Sequence, residues 1–251
     1  MPKIGIMSAM QEEISSLLTA MDVTSKVVCG QRTYHVGTLW GTSVVIVFSR
    51  WGKVAAASTA TELVARFDVE EIIFTGVAGG VRTGINIGDI VVGSSLVQHD
   101  MDARPLFDRH VIPLLDVEHI KTDLTLSQRL YAAAGDFVQQ LANEVPEHEI
   151  NRFGIKTPQV HRSEIASGDK FFASKDEISE LGKRFPAVAC VEMEGAAVAQ
   201  VCHEHQIPFA VVRTISDSAD ASAALDFPAF VQMVATKYAE GILRRFMSHM
   251  R

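Results

Sequence analysis

Residues 44–48 read VVIVF, five apolar side chains in a row with no polar alternation. A strand of that kind is covered on both faces, so the chain must supply an apolar layer on either side of it. Similar strand-like runs occur at 4–8 (IGIMS), 26–29, 34–40, 71–75, 89–97, 161–166 and 209–213. Gly76 is expected to end the run at 71–75. Between the strands the apolar period changes to that of a helix. Ile14, Leu17, Leu18 and Met21 share one face of 11–21, and Ala57, Ala60, Val64 and Phe67 one face of 53–67. Further helices are expected over 125–143, 175–185, 195–205 and 230–250. The last carries Phe230, Val234, Tyr238, Ile242 and Phe246 at steps of four, the pattern of a helix with one buried stripe. Segments 100–123 and 145–157 lack a clean period and read as connectors. Strands alternating with helices predict a three-layer α/β/α fold with a mixed central sheet. No repeat or linker divides residues 1–251, which read as one catalytic domain.

Charge and cysteine content narrow the function classes. A net charge of -7 disfavours nucleic-acid partners. Arg244 and Arg245 form the obvious local basic patch and read as a solvated helix end. Cys29, Cys190 and Cys202 are odd in number and widely spaced, which suits buried thiols in a reducing compartment better than a disulfide framework. No apolar run reaches the ~18 residues of a membrane span, and Met1-Pro2-Lys3 leads straight into a strand without a signal-peptide core. The reading is a soluble, cytoplasmic protein.

Chemistry-bearing residues gather where strands end. TGVAGGVRTG at 75–84 places four glycines after a strand, which permits tight turns or close backbone approach to a ligand. Its spacing is not GxGxxG, and the chain lacks a P-loop. Glu13 follows the first strand, Glu192-Met193-Glu194 stands at a strand-to-helix junction, and Thr214–Asp217 closes another strand. Ligands of open α/β sheets bind outside the carboxyl ends of strands. Each acid alone also suits a helix cap; together they suit glycosyl-bond hydrolysis, one acid protonating the leaving group while another activates water. Metal readings are weaker. Cys202, His203 and His205 do not converge on one helix face, and His99, Asp100 and Asp102 form only a loose candidate cation cluster. GxSxG, HExxH and paired CxxC motifs are missing.

IGIMSAMQEE (4–13), TGVAGGV (75–81), SGDKF (167–171), VEMEGAAVAQVC (191–202) and VVRTISDSAD (211–220) occur in that order. Together they resemble the methylthioadenosine/S-adenosylhomocysteine nucleosidases of the nucleoside phosphorylase superfamily. The resemblance implies adenine release without metal or redox cofactor, from adenine nucleoside thioethers and water, by a homodimer. It implies that Asp217 is the general acid toward adenine N7 and that Glu13 activates the water. Glu194 would bind the ribose hydroxyls, with Met193 beneath the ribose and Glu192 nearby. Arg213 and Ser216 would support the water and the acid. Phe171 would stack on adenine, the Phe172 backbone would read its edge, and Ala78 and Gly79 would line the base. Met10 and Phe227 would flank the 5′ end, with Trp51 at the rim. Residues near 101–115, Leu106 or Phe107 among them, would lie at the dimer interface and reach the neighbouring site.

Three places depart from that pattern. Val77 stands where many members carry Ser, SRWGK (49–53) places Arg50 and Trp51 where small or aliphatic residues are common, and RPLFDRHVIPLL (104–115) is atypical. Arg50 keeps phosphorolysis open, since phosphate needs cations. Cleavage of another purine nucleoside, aminodeoxyfutalosine included, and a non-catalytic binding protein are the further alternatives.

Overall fold

The computed structural model describes residues 2–217 and 223–250. Ser218, Ala219 and Asp220, the end of the VVRTISDSAD segment, lie outside the described residues. The described strands form a ten-stranded mixed sheet. They are β1 (Ile4–Ser8), β2 (Met21–Cys29), β3 (Arg32–Leu39), β4 (Thr42–Phe48), β5 (Glu71–Gly80), β6 (Ile90–Gln98), β7 (His119–Lys121), β8 (Val160–Ser167), β9 (Val188–Glu192) and β10 (Phe209–Asp217). The main helices are α1 (Ser15–Ala20), α2 (Lys53–Phe67), α3 (Leu124–Gln139), α4 (Leu141–Glu144), α5 (Glu147–Arg152), α6 (Lys175–Arg184), α7 (Gly195–His205), α8 (Ala223–Phe230) and α9 (Thr236–Ser248).

The VVIVF strand is β4, and its side chains divide between two cores as a doubly covered strand requires. Val44 and Ile46 join a cluster with Leu17, Phe137, Tyr238 and Phe246, beneath α1, α3 and α9. Val45 and Val47 join a second cluster with Ala60, Leu63, Val198 and Cys202, beneath α2 and α7. The three layers follow from that alternation. The stripe Phe230, Val234, Tyr238, Ile242 and Phe246 is buried throughout.

The sheet is more than an open one. Its path runs β10-β6-β8-β9-β5-β1-β4-β3-β2, and β10 also pairs with β5. Five strands therefore close a ring, and β1, β4, β3 and β2 extend from it. Closure corrects the expectation that Gly76 ends β5. The strand continues to Gly80 because its backbone is paired on both sides, Gly76 with Arg213 and Gly79 with Val191. β10 likewise runs on past Arg213 to Asp217.

Several boundaries differ for local reasons. The first helix is a 3-10 turn (Glu12–Ile14) followed by α1, and β2 begins at Met21. The helix expected over 125–143 breaks at Gln140, whose φ is -111°. The final helix contains a π turn at Val231–Ala235, three residues after Pro228. Such a turn leaves a surplus carbonyl; Thr236 Oγ1 donates to Val231 O at 3.4 Å and to Glu12 O at 2.8 Å. The C-terminal helix thus holds the turn that carries Glu13. The two connectors contain β7 and α5. On α2 the deeply buried positions are Ala56, Thr59, Ala60, Leu63 and Phe67, one step away from the face expected for Ala57 and Val64.

The other sequence readings sort plainly. Arg244 and Arg245 both pair with Glu144, so they are not a free basic patch. Cys190 and Cys202 are buried and Cys29 is half-buried, all as free thiols. Burial pushes the Cys202 thiol up to about 12, which keeps it protonated and inert. Among the described residues no helix is long and apolar enough to cross a membrane.

Candidate active site

The carboxyl ends of β1, β5, β9 and β10 meet at one pocket of about 580 Å³, part of it open to solvent. Ligand sites of that size are common in enzymes. Thirteen of the fourteen residues expected from sequence line it: Met10, Glu13, Trp51, Ala78, Gly79, Phe171, Phe172, Glu192, Met193, Glu194, Ser216, Asp217 and Phe227. Arg213 lies directly behind them, 1% exposed.

Glu13 is fixed by three donors. Ser8 Oγ donates a very short hydrogen bond, and the Met10 and Val77 amides donate at 3.0 Å each. Burial raises the pKa of Glu13, while Ser8 and Arg213 pull it down. The departure at Val77 leaves this contact intact, because the donor is its backbone. Gly76 is required beside it: a Cβ there would stand 2.9 Å from Glu13 Oε1 and 3.4 Å from Arg213 Nη1. The glycine run is therefore a paired strand end that lets the acid and the arginine approach.

The two acids of VEMEG have different tasks. Glu192 is bound on all sides by protein. It accepts from Ser167 Oγ in a very short bond, from the Gly195 amide at 2.8 Å, from the Glu194 amide at 3.2 Å and from Arg213 Nη2 at 2.7 Å. It caps the start of α7 and anchors Arg213, whose guanidinium also lies 4.1 Å from the centre of the Phe74 ring. Burial opposes the charge of Arg213, but Glu192, Glu194 and Glu13 outweigh it and raise its pKa. Glu194 points into the pocket and accepts from the Gly52 amide at 2.8 Å. Burial first, then the Glu192 charge, pushes its pKa up to about 8.

Asp217 is aimed by a β-bulge. Ile215 pairs with Ala78 and Asp217 with Gly79, so Ser216 is the extra residue between them. Bulges near active sites redirect side chains. Here Ser216 Oγ donates to Asp217 Oδ2 at 2.7 Å. The periodicity of a short apolar strand carries no signal for such a bulge.

The aromatic wall joins the loop after β8, through Phe171, to Phe227 of α8 and to Trp51 just before α2. Phe171 and Phe227 stand edge to face at 5.9 Å, as do Trp51 and Phe227 at 6.2 Å. The loop is tied to the start of α2. The Lys53 amide donates to Asp169 Oδ1 at 2.8 Å, the Asp169 amide to Asp100 Oδ2 at 3.0 Å, and Lys53 Nζ to Asp100 Oδ1 at 2.7 Å. This pairing also removes the candidate cation cluster, since Asp100 holds Lys53 and Asp102 holds Arg104. Cys202 is buried while His203 and His205 are exposed, so that trio does not converge either. Among the described residues no group of three or more His, Cys, Asp or Glu is placed to hold a metal ion. Sequence reading missed Ser8 and the Gly52 amide, and gave Ser167 no role. A serine closing each of the strands β1 and β8 is the one signal that pointed to them.

A strand-end pocket combining an aromatic wall with buried carboxylates is the class of site that suits glycosyl-bond cleavage. Residues 3–248 match the family model of the phosphorylase superfamily. The aminodeoxyfutalosine nucleosidase of Helicobacter pylori is 36% identical over 239 residues, 95% of each chain. The 5′-methylthioadenosine/S-adenosylhomocysteine nucleosidase of Actinobacillus succinogenes is 34% identical over 242 residues, 96% of each chain. The Neisseria meningitidis 5′-methylthioadenosine/S-adenosylhomocysteine nucleosidase, solved with methylthio-immucillin-A, superimposes with a TM-score of 0.86 at 29% identity, over 99% of this chain and 100% of that one. The chain belongs to the phosphorylase superfamily, in its branch of 5′-methylthioadenosine/S-adenosylhomocysteine nucleosidases.

Proposed function

We propose that this protein hydrolyses the N-glycosidic bond of 5′-methylthioadenosine and S-adenosylhomocysteine, releasing adenine and the corresponding thioribose. The observation that carries the hydrolytic reading is the Glu13 carboxylate, buried and held by three donors in the pocket that also contains Asp217. In the reaction the C1′–N9 bond breaks and its electron pair leaves with the purine. Asp217, steadied by Ser216, gives a proton to N7. Glu13 takes a proton from water as its oxygen bonds to C1′. A carboxylate whose pKa is raised by burial is a better base than one in water. Glu194 accepts from the ribose hydroxyls over Met193, and the Glu13 carboxylate beside the sugar favours the cationic transition state. Phe171 covers one face of adenine, with Phe172, Ala78 and Gly79 around it. Arg213 and Glu192 hold the acids in place.

Phosphorolysis fits the site poorly. A phosphate anion would have to enter beside Glu13 and Glu194, and the cations at the pocket, Arg213 and Lys170, are already paired, with Glu192 and Glu177. Arg50 does not line this pocket. Adenine release from methylthioadenosine with and without phosphate tests the assignment. Release in phosphate-free buffer with free methylthioribose supports it; release only with phosphate, as a sugar 1-phosphate, refutes it. Aminodeoxyfutalosine belongs on the same panel because the relative at 36% identity carries that name.

Residues 1–251 act as one catalytic unit, and two copies associate. Leu106, Leu114, Val54 and Trp51 are 84%, 90%, 81% and 55% exposed, an apolar set that favours burial against a second copy. Sedimentation equilibrium tests the dimer: a mass near twice the 27.4 kDa of one chain supports it, and a single-chain mass refutes it. The three cysteines, all free thiols, support a reducing, cytoplasmic place of work.

A further inference from the structure

A second cavity opens from the first. Ala9, Met10, Trp51 and Phe227 line both, so they form a neck between the reaction pocket and an outer groove. Beyond the neck the groove is lined by Gln11, Glu12, Phe48, Arg50, Pro228, Val231 and Gln232. The groove combines aromatic and apolar walls with one cation, one anion and two amides, the polar four all exposed. A methylthio group has nothing to offer such a surface.

Arg50 is the unusual member. Its φ is 72°, in the left-handed region where glycine is favoured. Its Nη2 donates to Gln31 O at 2.7 Å, and among the described residues it forms no ion pair with an acid. Arg50 lines the groove and is exposed, and its other guanidinium N–H groups have no partner among the described residues. A planar fork of donors of this kind matches a carboxylate. Glu12 on the same groove suits an ammonium.

We propose that the outer groove is a subsite for a 5′ arm ending in a carboxylate, and that Arg50 is the specificity-determining residue that reads it. An α-amino acid terminus, as on the homocysteinyl arm of S-adenosylhomocysteine, supplies both the anion for Arg50 and the cation for Glu12. The inference rests on the nucleosidase reading above and adds the chemistry of the preferred arm. It also gives Arg50 a task other than binding phosphate.

The test compares S-adenosylhomocysteine with 5′-deoxy-5′-(3-aminopropylthio)adenosine, which has the same arm without its carboxylate. The wild type is expected to favour the carboxylate by roughly tenfold in kcat/KM, the scale of one charge-assisted hydrogen bond. Arg50→Ala is expected to erase that preference, and Arg50→Lys to keep part of it. A wild type indifferent to the carboxylate overturns the proposal without needing any variant. So does an Arg50→Ala protein that still discriminates. Adenine release from neither of these compounds nor from methylthioadenosine would instead sink the nucleosidase reading, a result separable from equal release from all three.

Discussion

The reaction pocket and the outer groove share a neck, yet their charged groups live under opposite conditions. Glu13, Glu192, Glu194 and Arg213 are all buried, each held by backbone amides, hydroxyls or one another. Arg50 and Glu12 are exposed, and among the described residues Arg50 makes a single hydrogen bond. Buried charges are costly unless paired, so every one in the pocket has a fixed neighbour and a fixed position. Exposed charges are screened and mobile, so the groove can tune preference but not bond-breaking. The chemistry of the pocket is therefore rigid, and selectivity toward the 5′ arm is the adjustable part.

Substitutions that respect or violate this contrast should rank accordingly. The largest effect is expected for Asp217→Asn, which removes the proton donor while keeping its shape. Its kcat should fall by on the order of 10³-fold, within the range of general acid catalysis, with binding of an adenine ligand retained by calorimetry. Wild-type turnover in that variant would remove Asp217 from its role.

Next comes Glu192→Ala, which strips Arg213 and the α7 start of their shared partner. Loss of one member of a buried ion pair is worth about 3–5 kcal/mol, so the urea midpoint should drop sharply. A midpoint within error of wild type would mean that Glu192 is not the anchor described here. The equivalent change outside, Arg50→Ala, should leave that midpoint nearly unmoved, by roughly 0.5 kcal/mol or less.

Glu194→Gln sharpens the comparison through pH. The folded pKa of Glu194 is raised to about 8, while an unfolded glutamate titrates near 4.5. Between those values the folded state holds a proton that the unfolded state has released. Wild-type stability from this group is thus lost as pH rises from 4.5 to 8 and is constant above. The glutamine variant lacks that loss, so its stability relative to wild type should improve with pH across the window. Parallel curves of melting temperature against pH would contradict the raised pKa.

The smallest effect is expected at the neck. Trp51→Ala should change the ratio of kcat/KM for methylthioadenosine over S-adenosylhomocysteine by roughly two- to tenfold, the range of altered apolar contact. The chemical step, measured in single turnover, should change less than that ratio. An unaltered ratio would separate Trp51 from arm selection.

Much of this was legible in the chain itself. Continuous apolar runs and four-residue steps located the strands and helices, because those patterns report how a local segment is covered. VEMEG, TISD and the Glu13 turn marked the strand ends where ligands collect. Other features depended on partners far away along the chain. Glu13 and Val77 are 64 residues apart, and Glu194 and Gly52 are 142 apart. No local propensity encodes such pairings.

By itself the sequence determined the layers, the kinds of side chain available and the family. The tertiary structure alone decided which of them do what. Closure of β5 on β10 turned a presumed glycine loop into a paired wall. A bulge at Ser216 aimed Asp217. Hydrogen-bond saturation separated Glu192, an anchor, from Glu194, which faces the pocket. The position of the neck put Arg50 outside the reaction pocket. The reason is common to all four: a buried polar group takes its role from the donors and charges that folding brings to it, and those come from every part of the chain.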